Sequence, residues 1–322
     1  MRGHLEVALL GPVTVALEGR PAPVAGAPQR TLLARLALDP GRTVSDDALL
    51  DALWPGGAPP NASGNLQSYV SRLRRVLGAS AVERQPMGYR LAVERDQVDV
   101  ARFEALADEA HRLVAADDPA SASGRFGEAL ALWRGEPFAD VTDPLAFGPE
   151  RARLAVVHHR TRVGWLAARV ASGEADGALA DLERAVAEDP TDEAVHLVLV
   201  RALHVLGRSG DALRVAADLR RRVVDATGLD PGPALAELEA AVLADDPALR
   251  PVARPPTPPP ADGAIGGEPP RSPAAPRGPV RRLAPADRFI GRDRELADVR
   301  AALGGRRLVT VVGPGGAGKT RL

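Results

Sequence analysis

The sequence contains no cysteine, which excludes disulfides and every thiolate metal site and accords with a reducing compartment. Aromatic residues make up only 3% of its 322 positions. Ala, Leu and Val carry most of the apolar content instead, a mix that favours closely packed helices over an all-β sandwich. No stretch approaches the roughly 18 uninterrupted apolar residues of a membrane span. No basic segment followed by an apolar run opens the chain, so neither a span nor a signal peptide is read, and a cytoplasmic protein without membrane contact is expected. Lysine is almost missing. Lys319 stands alone among 41 basic residues, a bias attributed to a G+C-rich gene and weak as a sign of function.

The missing chemistry is as informative. Of the six histidines, His158 and His159 are neighbours facing different sides of a helix, and His196 and His204 lie too far apart to chelate together. No metal site is expected. Carboxylates are plentiful, but they fall at helical spacing among arginines, where solvated i,i+4 pairs are the simpler reading. No catalytic residues are assigned, and the chain is not read as an enzyme.

What is present is unevenly charged. The net charge of −1 combines 11 Arg against 8 Asp and Glu in residues 1–95, 17 Arg against 28 in residues 96–250, and 13 Arg and Lys against 6 in residues 251–322. A basic module, an acidic module and a basic tail imply different partners.

The plainest boundary is a tract over residues 247–286 with 13 prolines in 40 residues. Apolar side chains are sparse there and proline withholds backbone donors, so the tract is expected to be a disordered, semi-rigid linker. Ahead of it, LEVALLG and PVTVALEG predict short strands punctuated by Gly11-Pro12 and Glu18-Gly19. Three helices follow. Pro28 to Leu38 stops at Asp39-Pro40-Gly41; SDDALLDALW is capped by Ser45, with Asp46 and Asp47 in its positive first turn; Asn61 to Leu77 places Leu66, Tyr69, Val70, Leu73 and Leu77 on one face. AVERQPMGYRL adds a hairpin around Gln85-Pro86-Met87-Gly88. Strands, three helices and a terminal hairpin predict an α+β winged helix-turn-helix over residues 1–95. Residues 96–246 are helical nearly throughout, and GALADLERAVAEDP from Gly177 resembles DALRVAADLRRRV from Asp211 at an offset of 34 residues. That is the period of tetratricopeptide helix pairs, so an all-α tetratricopeptide-like domain is expected.

Off its apolar face the third helix carries Asn65, Gln67, Ser68, Ser71, Arg72, Arg74 and Arg75. Asn, Gln and Arg form bidentate hydrogen bonds with base edges, and Ser lets a helix enter the major groove. On an isolated helix a solvated polar face is the simpler reading. Here the helix is third in a helix-turn-helix, and residues 61–92 hold 5 Arg against 1 Glu. Asn65, Ser68, Arg72 and Arg75 share one stripe, with Ser71 beside it, and are assigned to base or groove contact. Arg74, Tyr89 and Arg90 are assigned to phosphates. Arg84 has two open readings, a minor-groove contact or a plain surface arginine.

GAPQRTLLARLALDPGRTVSDDALLDALWPGGAPPNASGNLQSYVSRLRRVLG followed by GYRL resembles the OmpR-type DNA-binding domain of SARP/AfsR-type transcriptional activators. DVARFEALADEA, ALALWRGEPFAD and TGLDPGPALAELE resemble the bacterial transcriptional activation domain that follows it. The likeness covers residues 5–246 almost without gaps. SYVSRLRR and GYRL are common to many winged helices, whereas LWRGEPF and GLDPGP are more specific. One departure is Pro28, where many relatives carry lysine before Gln-Arg; it implies that one phosphate is left to Arg30. The resemblance implies a regulator that binds direct-repeat promoter sites as a head-to-tail homodimer, contacts RNA polymerase and a sigma factor, and often serves secondary-metabolite genes. With four residues before the first strand, no receiver domain is read, and control by aspartyl phosphorylation of this chain is not expected.

Residues 287–322 are read as the start of a P-loop α/β domain. Gly313, Gly318, Lys319 and Thr320 satisfy GxxxxGK[ST] after the apolar strand LVTVV, with Gly315 and Gly316 inside the loop. Glycines free backbone N–H groups to wrap phosphates, lysine reaches the β and γ positions, and threonine ligates magnesium. FIGRDRELADVRAAL upstream resembles the lead-in to NB-ARC type signalling ATPases. The motif ends at Leu322 with no acidic second strand, so hydrolysis by this chain is not expected, and a truncated product or fragment is inferred. No cofactor is expected for DNA binding, whereas ATP with Mg is expected in a full-length parent. Two rival readings are an ATP-gated signalling switch of the STAND type and a tetratricopeptide scaffold that does not bind DNA.

Overall fold

The computed structural model describes residues 4–251. The expected nucleotide-binding residues Gly313, Gly315, Gly316, Gly318, Lys319 and Thr320, and most of the Pro-rich tract, lie outside the described residues.

The chain opens with an antiparallel sheet of β1 (Leu5–Ala8), β2 (Thr14–Leu17) and β3 (Arg20–Pro21), in that order. Alternation turns Leu5, Val7 and Val15 inward. The hairpin joining β2 to β3 has two central residues at positive φ, Glu18 at 48° and Gly19 at 74°, the signature of a type I′ turn. Three helices follow: α1 (Ala27–Ala37), α2 (Asp46–Leu53) and α3 (Ala62–Leu77). The Ser45 hydroxyl accepts the Ala48 N–H at 3.2 Å and so caps α2. On α3 the buried stripe is Ala62, Leu66, Val70, Leu73 and Leu77. Tyr69 is only half-buried, packed near Trp54 with ring centroids 6.3 Å apart.

The wing is larger than the sequence suggests. Beyond the hairpin of β5 (Val82–Gln85) and β6 (Gly88–Leu91) there is β4 (Thr43–Ser45), and the sheet order is β4-β6-β5. Three residues ending in a helix cap carry too little alternation to stand out as a strand; pairing with β6 makes β4 one. Gly88 sits opposite Ser45, and a Cβ on it would overlap the Val44 carbonyl. The glycine of GYRL is therefore required by close backbone approach.

The helical part comprises α4 (Asp99–Ala115), α5 (Pro119–Leu130), α6 (Gly148–Ala171), α7 (Ala175–Glu188), α8 (Glu193–Val205), α9 (Ser209–Thr227) and α10 (Pro233–Leu243). The starts of α7 and α9 lie 34 residues apart, the spacing of the internal repeat. One core gathers α6 through α10, with Leu182, Val200, Ala216 and Leu219 fully buried. Gly228 at φ 73° ends α9 in the left-handed conformation, and Pro233 opens α10. This local chemistry explains GLDPGP. The Pro-rich tract begins with a short turn of 3-10 helix, Pro247–Leu249, whose Leu249 carbonyl accepts from Arg201 at 3.3 Å.

The other large core runs from Leu5 to Leu154, across the expected boundary near residue 95. WRGEPFAD is one of the segments that join the two parts. Arg134 N–H donates to the Leu10 carbonyl at 2.7 Å, Phe138 N–H to Leu9 at 3.0 Å and Ala139 N–H to Gly11 at 3.2 Å. Phe138, fully buried at φ 57°, stacks on Phe147 with centroids 4.7 Å apart. The motif is thereby hydrogen-bonded to the turn of residues 9–11 that follows β1.

Candidate nucleic-acid interface

The surface of interest is the side of α3 opposite its buried stripe. Gln67, Ser68, Ser71, Arg72 and Arg75 are exposed there, and Asn65 is half-buried. Ser68, Arg72 and Arg75 follow one another at spacings of four and three, so one helical face presents them together. Asn65 Nδ2 donates to Asn61 Oδ1 at 3.4 Å at the helix start. The helix contains three arginines and no acidic residue. Arg72 and Arg75 make no ion pair among the described residues, whereas most helical-domain arginines are matched to carboxylates, as in Arg169–Asp181 at 2.8 Å and Arg220–Glu239 at 2.6 Å.

The other assigned residues sit differently. Arg74 turns inward and donates from Nε to the Val82 carbonyl at 2.7 Å, tying α3 to β5. Tyr89 is buried at 5% exposure. Arg84 lies over its ring at 4.7 Å from the centroid while binding Asp46 at 2.7 Å. Arg90 forms an ion pair with Glu83 across the hairpin. Arg74 and Arg84 fasten the wing to α3 and α2, and Arg90 ties its two hairpin strands together. Arg30, expected to serve a phosphate in place of a lysine at position 28, is engaged within the molecule instead. Its guanidinium meets the Asp140 carboxylate at 2.9 Å and the Val24 carbonyl at 3.2 Å. At the tip of the wing Met87 is 75% exposed.

Sequence reading passed over Gln29. Its side chain is buried between α1 and α3, and no periodicity or composition signal marks a single glutamine in QRTLLARLAL. Among the described residues, no group of His, Asp or Glu could hold a metal ion, and no helix is long and apolar enough to cross a membrane.

Residues 25–91 match the family "Transcriptional regulatory protein, C terminal", and residues 98–243 match "Bacterial transcriptional activator domain". Regulatory protein DnrI of Streptomyces peucetius is 34% identical, over 76% of this chain and 94% of its own length. Regulatory protein AfsR of Streptomyces coelicolor is 33% identical over 99% of this chain, which spans only 32% of that relative. The structure of Mycobacterium tuberculosis EmbR in complex with a low-affinity phosphopeptide superposes with a TM-score of 0.72 at 31% identity, covering 76% of this chain and 66% of the other.

Proposed function

The chain belongs to the SARP-type transcriptional activators, and from that premise we propose that it binds double-stranded promoter DNA sequence-specifically through α3. The observation that carries this is the exposed, acid-free face of Ser68, Ser71, Arg72 and Arg75 with two arginines unclaimed by carboxylates. Guanidinium groups in that state have donors ready for guanine edges and phosphates, and their desolvation is not already offset inside the protein. Arg72 and Arg75, with Ser68 and Asn65, take the base and groove contacts. Arg74, Tyr89 and Arg90 support the wing. Two chains bind direct repeats head to tail, and the assembled pair contacts RNA polymerase and a sigma factor. The test is selection of a preferred duplex from a randomised library by the full chain, followed by titration across a salt series. Selective binding with a steep salt slope supports the reading; equal binding to preferred and scrambled duplexes counts against it.

A second reading, control of DNA binding by ATP with Mg, rests on GPGGAGKT at residues 313–320 and on the match to AfsR running over 99% of the chain. Gly313, Gly315, Gly316, Gly318, Lys319 and Thr320 would hold the phosphates and the metal. ATP titration against DNA affinity in a longer chain decides it.

A further inference from the structure

Gln29, in the first turn of α1, is 6% exposed although it borders the surface that carries Arg72. In the amide orientation its surroundings dictate, its nitrogen donates to the Ala25 carbonyl at 2.9 Å and the Gly26 carbonyl at 3.2 Å, and its oxygen accepts from Arg72 Nη1 at 3.3 Å. Every polar atom of the amide is thereby used, as burial requires. Gly26 makes room for it. At φ 88° it occupies the left-handed region, and a Cβ there would overlap the Gln29 amide. The same amide borders a cleft of about 190 Å³ shared with Arg72 and Arg75.

The start of α1 is itself immobilised by the helical part. Arg30 is paired with Asp140 at 2.9 Å, and the Thr31 hydroxyl accepts the Thr142 N–H at 2.9 Å. Gln29 is thus a fixed acceptor. An exposed arginine loses much rotamer freedom when it is ordered at an interface; one donor already held leaves less to lose, with the remaining guanidinium N–H groups free.

We infer that Gln29 is a positioning residue for DNA recognition, one that holds the Arg72 guanidinium in place for a base edge without touching DNA itself. The inference rests on the proposal that α3 reads DNA. A pre-positioned fork discriminates between bases, whereas a loose one supplies only charge.

The test uses the full chain, a duplex enriched by it from a randomised library, and that duplex substituted one base pair at a time. Gln29→Met keeps the volume and removes the acceptor. Its expected effect is a loss of about tenfold in discrimination at the base pair that Arg72→Ala also relaxes, the scale of one well-formed base contact. The salt slope should stay at the wild-type value, since no charge is removed. In the Arg72→Ala background Gln29→Met should change selectivity no further. Gln29→Leu, likewise apolar and similar in volume, would serve if the Met variant failed to fold and should lose the same discrimination at an unchanged salt slope. Additive losses from Gln29→Met and Arg72→Ala, or unchanged discrimination in Gln29→Met, would overturn the inference while leaving DNA binding intact. Absence of selective binding by the wild type would overturn the DNA reading and the inference together.

Discussion

The carboxylate of Asp99, at the first turn of α4, accepts the backbone N–H of Leu9 at 2.7 Å, across 90 residues of sequence. Its second oxygen accepts Leu10 N–H at 2.9 Å, and Arg134 approaches it at 3.6 Å. Leu9 and Leu10 are fully buried, so their N–H groups have no access to water. Asp99→Ala would orphan both donors and is expected to cost about 3 kcal/mol. Urea denaturation should show both parts of the molecule losing stability in one transition, because they share a core. Destabilisation confined to α4–α10, with the winged helix unaffected, would contradict the shared-core description.

Burial pushes the Asp99 carboxyl above its ordinary value of 3.8, and the N–H groups of Leu10 and Leu9 and the charge of Arg134 pull it partly back. The folded state therefore holds its proton more tightly than the unfolded chain. Between the raised folded value and 3.8, stability contributed by this group rises as pH falls. Wild type should gain on Asp99→Asn through that window, a difference that denaturation of the two proteins side by side would measure.

His158 shifts the other way. It packs against Trp133 with centroids 4.1 Å apart, and burial, with the charges of Arg162 and His159, lowers its pKa below 6.5. The unfolded chain takes up this proton first, so stability is lost as pH falls from 6.5 through the folded value. His158→Phe should flatten the pH dependence of the melting temperature in that range, and an unchanged profile would assign the effect to other groups such as His111, which burial and Arg160 also lower.

Gly164 lies where α6 crosses α5, and a Cβ there would come 2.7 Å from Phe126 Cζ. Alanine in a helix normally gains about 1 kcal/mol over glycine. Overpacking a fully buried phenylalanine costs about 1–3 kcal/mol. Gly164→Ala is accordingly expected to lower stability by about 1 kcal/mol, measured by thermal or urea unfolding; a stabilised variant would show that Phe126 yields easily.

Arg74→Ala separates support from contact. It removes the bond to the Val82 carbonyl, part-buried at 2.7 Å, and should lower stability by about 1–2 kcal/mol. With α3 otherwise unchanged, the salt dependence of DNA binding should keep its wild-type slope. A slope reduced by about one would mean that Arg74 reaches a phosphate.

Much of this architecture was legible in the sequence because local signals agreed with the fold. Ser45 caps α2 as a serine before two aspartates should, and the period of Leu66, Val70, Leu73 and Leu77 marks the buried face of α3. The legible part of the site was its exposed face, since residues opposite an apolar stripe generally point outward. What was hidden depends on tertiary pairing. β4 exists only against β6, and the clasp of WRGEPFAD on the turn after β1 joins positions far apart in the chain, such as Arg134 and Leu10. Nothing in the order of residues says which arginine turns inward. Arg74 and Arg75 are neighbours of identical chemistry, yet about 100° of helical rotation sends one to a carbonyl and leaves the other exposed.

The most direct measurement is fluorescence anisotropy of the full chain against its library-selected duplex and a scrambled control, across a salt series, for wild type, Arg72→Ala and Arg75→Ala. The predicted result is selective, salt-dependent binding by wild type, with each substitution costing about 1–3 kcal/mol on the selected duplex and less on the control. Equal affinity of wild type for both duplexes, or full selectivity in both variants, would contradict the assignment of DNA recognition to the exposed face of α3.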